Sequence, residues 1–144
     1  MRIVLSFLLL LIVVSCQKRK RVLSDGVWTF DRFQLNTDTS IFDIDSARHE
    51  RIVIRFERNR IGVFSVVNEC GANYRLNNGL TISELFCTEM ASLDSLDNAL
   101  ENRFLNAIQN TSTYHIEDTS LTIQYEVESD SLNELVFTKN NCAC

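Results

Sequence analysis

Cysteine, histidine and carboxylate side chains are what this 144-residue chain offers for chemistry, and their spacing decides which chemistry is open to it. Nucleophilic catalysis needs a nucleophile, a base and a group that orients the base. His49 falls in the charged run Ser46-Ala47-Arg48-His49-Glu50-Arg51, which reads as a solvated loop, and His115 alternates with Tyr114 and Ile116, so its ring should point outward from a strand. Neither stands at metal-ligand spacing to a second histidine, and no glycine-rich phosphate loop or P-loop lysine occurs. The 19 acidic residues contain no pair that stands out from the solvated face they would form anyway. The expectation is no catalytic residue, no metal and no cofactor.

The cysteines say more, Cys16 first. The apolar run from Ile3 to Val14, broken by Ser6 and preceded by Arg2, falls well short of the roughly 20 residues that cross a bilayer. It suits the apolar region of a secretory signal. Its end, Val13-Val14-Ser15-Cys16, resembles the bacterial lipobox, in which a small residue lets signal peptidase accommodate the backbone and the cysteine thiol takes the diacylglycerol. That resemblance implies a signal peptide over 1–15, lipidation of Cys16 and a basic tether over 16–24. Lys18, Arg19, Lys20 and Arg21 outnumber Arg2 plus the amino terminus, a bias that alone would put the domain on the cytoplasmic side. The shortness of the run and four further cysteines, which suit an oxidising compartment, outweigh it. Buried acyl methylenes contribute about 0.8 kcal/mol each, and tether cations lying on anionic headgroups about 1 kcal/mol each. Position 17 is glutamine and not aspartate, so the expected location is the bacterial envelope, on the outer membrane facing the periplasm in preference to the inner membrane.

Cys70, Cys87, Cys142 and Cys144 permit three pairings. A Cys70–Cys87 bond would close a loop worth roughly 3 kcal/mol in the chain-entropy model, provided the two α-carbons come within about 5.5 Å. Cys142-Ala143-Cys144, in the 140–144 tail, reads as a frayed end or a bridge back to the domain, because a lone C-x-C supplies two of the four ligands a soft metal takes. Asp45-Ser46-Ala47 and Asp130-Ser131-Leu132 resemble the Asp-Ser/Thr-aliphatic acceptor for bacterial O-glycosylation, which makes Ser46 and Ser131, in expected loops, the candidate sites; Ser95 has the same pattern but falls in a helix.

These residues need a scaffold, and the scaffold reads as strands. One domain over 25–139 is long enough to bury a core without staples. The chain carries 14 basic and 19 acidic residues, and removing Arg2 and the basic tether leaves the domain more acidic still, a poor partner for nucleic acid. Ile52, Ile54 and Phe56 alternate with Arg51, Val53, Arg55 and Glu57; Asn59-Arg60 supplies a turn before Ile61 to Val67. Leu121, Ile123, Tyr125 and Val127 alternate with polar residues and form a hairpin with Tyr114-His115-Ile116. Val27 to Phe33 and Glu134 to Lys139 read as a first and a last strand. One helix, about residues 93–109, follows from the stripe Leu93, Leu96, Leu100, Phe104, Ala107 and Ile108, with Asp94, Asp97 and Glu101 placed off the stripe and Ser92 or Asp94 as its cap. It should lie across an end or open side of the sheet.

The middle of the chain is similar to the META domain family, also called the HslJ type. The matching residues are the run Val67-Asn68-Glu69-Cys70-Gly71-Ala72-Asn73-Tyr74, the strand Leu80-Thr81-Ile82, Thr88-Glu89-Met90-Ala91 for the T-x-M-A signature, and Glu101 to Leu105 with Phe104 in the following helix. Trp28 and the hairpin Tyr114 to Tyr125 fit the family as well. Ser92 stands where family members often have cysteine, and Cys87 precedes the threonine instead. The resemblance implies a mainly β (α+β) fold, a small antiparallel barrel-like sheet of lipocalin-like META topology with one helix. It also implies a bacterial envelope protein, linked to heat response, drug tolerance and secretion, without an agreed biochemical activity and not an enzyme. Two functions follow as expectations. The first is a lipid-anchored, non-enzymatic protein whose barrel meets another envelope protein in a binding or stress-maintenance role. The second is a carrier of a small apolar ligand. An interior packed with Trp28, Ile54, Phe56, Phe64 and Tyr125 would speak against the carrier.

Overall fold

A computed structural model describes residues 23, 26–35, 48, 50–126 and 132–140. In chain order the elements are β1 (Val27–Leu35), β2 (Val53–Glu57), β3 (Arg60–Phe64), β4 (Glu69–Leu76), β5 (Leu80–Ile82), β6 (Phe86–Cys87), α1 (Ser95–Gln109), β7 (Thr111–Glu117), β8 (Ser120–Glu126) and β9 (Leu132–Lys139). The strands form one antiparallel sheet in the order β5-β4-β3-β2-β1-β9-β8-β7, with β6 pairing the upper part of β4 beside β5. The sheet curls into a nearly closed barrel whose seam lies between β5 and β7.

Period-2 alternation builds the interior. Ile54 and Phe56 of β2, Ile61 and Val63 of β3, and Leu121, Ile123 and Tyr125 of β8 are buried, while Arg55, Glu57 and Arg60 face out. Trp28, Phe30 and Phe33 of β1 join them, and Leu23 lies beneath, accepting a hydrogen bond at its carbonyl from Trp28 Nε1 (3.5 Å). One continuous cluster results, with Phe30 at its centre in edge-on contact with Phe33, Phe104 and Phe137 at 4.9, 5.3 and 5.6 Å.

Several expectations shift. Phe64 is not an interior residue: it is 38% exposed, because β3 alternates Ile61 and Val63 inward and leaves Phe64 on the outer face beside Gly62. The β2–β3 turn is Arg58-Asn59, not Asn59-Arg60, and Arg60 already pairs with Glu57. The family-matching run from Glu69 to Tyr74 forms most of β4, which continues to Leu76. The helix begins at Ser95, and Leu93 and Leu96 are exposed, so neither belongs to the core stripe. In their place α1 buries Asp97 and Glu101 along with Leu100, Phe104, Ala107 and Ile108. Phe104 carries the helix onto the aromatics of β1 and β9, and at the C-terminal end Gln109 reaches the seam, accepting from Leu85 N–H and donating to Ser83 O. No helix among the described residues is long and apolar enough to cross a membrane.

Candidate functional site

Two acids on the buried stripe of α1 require partners, since an unpaired carboxylate out of water costs several kcal/mol. Glu101 finds them on the loop between β3 and β4. Its Oε1 accepts from Asn68 N–H (2.8 Å) and from the Ser65 hydroxyl, and its Oε2 accepts from Asn68 Nδ2 (2.8 Å). Asn68 then uses its remaining valences on the segment after β6. Nδ2 donates to Met90 O (3.0 Å), while Oδ1 accepts from Met90 N–H and from the Thr88 hydroxyl, both at 2.8 Å. The side-chain amide thus grips the main chain of Met90 from both sides, as a strand neighbour would. Thr88 adds hydrogen bonds in both directions with the main chain of Glu69 (3.0 and 3.2 Å).

Cys70 and Cys87 reinforce the same junction. They stand opposite each other in the β4/β6 register with α-carbons 4.0 Å apart, and a disulfide joins them. Asp97 supports the other side of the helix start, where its carboxylate faces Arg48 Nε at 2.9 Å and Arg51 Nη1 at 3.4 Å, while Arg51 Nη2 donates to Val66 O at 2.6 Å. Asp94 caps the helix by accepting from Leu96 N–H (2.9 Å), and that hydrogen bond, reinforced by the adjoining Arg48, holds its carboxyl below the usual carboxylate range. Partial desolvation of Arg48 works against its charge, but Asp94 and Asp97 prevail and hold its guanidinium above the ordinary value. Burial pushes the phenols of Tyr74 and Tyr125 up, with Arg103 opposing it at Tyr125.

The family-motif residues therefore divide. Thr88, Met90 and Glu101 meet in one network; Phe104 and Trp28 are wholly buried core. Asn73 does not join it: its side chain is exposed, and it contributes only its main-chain N–H and carbonyl to Ser83. Asn68 and Ser65 connect the network; in the sequence Asn68 stands out only as part of the family-matching run Val67 to Tyr74, and Ser65 only as part of the run Ile61 to Val67. The signal was present in α1, where Asp97, Leu100, Glu101, Phe104, Ala107 and Ile108 recur at three and four residues, placing two acids on the apolar face. His115 is exposed, as its alternation implies. Cys16, Ser46, His49, Ser131, Cys142 and Cys144 lie outside the described residues.

The cluster joins the β3–β4 loop, the segment after β6 and α1. The Ser65 hydroxyl donates to Glu101 Oε1, whose carboxylate is also held by Asn68, so both side chains are engaged in joining the β3–β4 loop to the helix. No group of three or more His, Cys, Asp or Glu side chains among the described residues could hold a metal ion. What the network fixes in place is exposed apolar surface: Phe86 (75% exposed), Met90 (56%), Leu93 and Leu96 (60%). A separate open, largely polar cleft of about 360 Å³ lies at the opposite end, lined by Asn59, Asn73, Tyr74, Arg75, Leu76 and Asn77.

Comparison with known proteins agrees with this architecture. The META domain model matches residues 21–142. A protein from Burkholderia xenovorans solved by NMR superposes with a TM-score of 0.63 at 19% identity, covering 84% of this chain and 86% of that one. A DUF4847 family protein from Bacteroides vulgatus ATCC 8482, a crystal structure, superposes at 0.60 with 12% identity, covering 84% and 96%. At these identities the likeness is one of fold. No curated protein matches the sequence, and neither the family nor these neighbours indicates a catalytic family.

Proposed function

This chain belongs to the META domain family, and from that premise we propose that it is a non-enzymatic lipoprotein of the bacterial cell envelope. Lipid on Cys16 holds it at the outer membrane on the periplasmic side, and its barrel offers an outer surface to another envelope protein in a maintenance or stress role. The observation that carries this reading is the contrast between a filled barrel and the exposed apolar run Phe86, Met90, Leu93 and Leu96. A single exposed leucine is ordinary, but four large apolar side chains in one short segment, fixed from behind by Asn68 and Glu101, are the makings of a contact surface. The packed interior of Trp28, Ile54, Phe56 and Tyr125 is the reason to place binding outside the barrel and not within it as a carrier would. The lipobox-like Val13-Val14-Ser15-Cys16 supplies the anchor.

The test is site-specific crosslinking in cells. A photoreactive residue at Leu93 of the full chain is expected to give a discrete protein adduct that the same probe at exposed Thr119, in the β7–β8 turn, does not give. No adduct at Leu93, or the same pattern from both positions, overturns the reading.

A further inference from the structure

The end of the barrel opposite that apolar run carries a surface of another kind. β1 starts there, above Leu23, with Lys139 of β9 opposite Trp28. Because the strands alternate in direction, the β2–β3 turn and the end of β4 come to the same end. Arg58 lies in that turn, Arg60 opens β3 opposite Asn73, and Arg75 is next to last in β4; all three are exposed. Elsewhere the described arginines are engaged: Arg32 with Asp31, Arg48 and Arg51 with Asp97, Arg55 with Glu57, Arg103 over the Phe33 ring at 4.5 Å. The guanidinium groups of Arg58, Arg60 and Arg75 have no anionic partner among the described residues, although the chain as a whole is net −5. The open polar cleft lies at this corner, with Asn59, Asn73 and Asn77 beside Arg75 to supply amide donors. Of the acids at this end, Glu57 is taken by Arg55, and Glu117, which ends β7, and Asp118 in the β7–β8 turn lie beyond β5 and the seam.

We propose that this corner is a docking face for the phosphate-bearing headgroups of the bilayer. The charge is complementary, and the chain between Cys16 and Leu23 can span at most about 25 Å when fully extended, so an anchored protein keeps this end near the membrane. The barrel then stands with Arg58, Arg60 and Arg75 on the lipid and with Phe86 and Leu93 turned away from it. The orientation rests on the lipid-anchor reading; the affinity for anionic headgroups does not.

The experiment sediments residues 17–144, whose described part closes its own core, with vesicles of phosphatidylcholine containing one part in three of phosphatidylglycerol, and with phosphatidylcholine alone. Lys18, Arg19, Lys20 and Arg21 are all changed to Gln, so that only the folded face can respond. This protein is expected to bind the anionic vesicles, to release in high salt and to ignore the neutral ones. Adding Arg58→Glu, Arg60→Glu and Arg75→Glu should weaken partitioning by roughly a hundredfold or more, about fivefold for each cation lost with the added negative charges opposing binding further, at an unchanged melting temperature. Equal binding by the charge-reversed protein, equal binding to neutral vesicles, or no binding by the parent overturns the proposal. Since no acyl chain is present, those results leave the modification of Cys16 standing, and an unmodified Cys16 leaves them standing in turn.

Discussion

Glu101 is buried to 5% exposure and reaches three donors, so its loss strands polar groups that have no water to turn to. Glu101→Ala is expected to cost about 3 kcal/mol in denaturant unfolding and to free the Met90 segment by way of Asn68. A variant within a few tenths of a kcal/mol of the parent would show the network to be incidental. Changing Cys70 and Cys87 together to Ser should cost about 3 kcal/mol under oxidising conditions, and a reductant should bring the parent to the same level. At this scale hydrophobic residues are more legible in the sequence than polar ones. Trp28 and Phe104 announce their burial by type, whereas the role of Glu101 depends on Asn68, 33 residues away, and no local pattern encodes that meeting.

Elements are positioned by their ends. Asp94 caps α1, and its carboxyl lies lower in the folded than in the unfolded protein. The cap's contribution is therefore complete above the ordinary carboxylate pKa of about 4 and is lost as pH falls through the lowered folded value. Asp94→Ala should reduce the melting temperature at pH 7, and the gap between variant and parent should close below about pH 4; a gap that persists at pH 2 contradicts this. Arg58 holds φ at 52°, the left-handed region, at a cost of about 1 kcal/mol to a non-glycine residue, while its carbonyl accepts from Tyr74 Oη at 2.7 Å. Arg58→Gly keeps the carbonyl, removes the strain and should raise the melting temperature by about 4 °C. Most strands and the helix were legible from periodicity alone. The boundaries were not: Leu93 and Leu96 match the spacing of the stripe but precede or open the helix, where the backbone has turned them to solvent.

The whole molecule depends on closing a sheet whose last strands meet without a regular ladder. At the seam, a Cβ placed on Gly79 would lie 2.2 Å from the Ser112 carbonyl oxygen, so backbone meets backbone there and only glycine fits. Gly79→Ala should force β5 and β7 apart and destabilise the barrel by about 2 kcal/mol, read by thermal unfolding. The mainly β class was readable from period-2 alternation, and the barrel from the resemblance to the META family. The seam was not, because it is set by the register of the entire sheet. The proposed cellular role depends on the other end of the chain, where the lipobox-like Val13-Val14-Ser15-Cys16 precedes four basic residues and an acidic domain. The mass of the protein purified from membranes tests that most directly. A chain beginning at Cys16 and heavier than its sequence by a diacylglycerol and a further acyl group is the expected result. An unmodified chain that still begins at Met1 would contradict it.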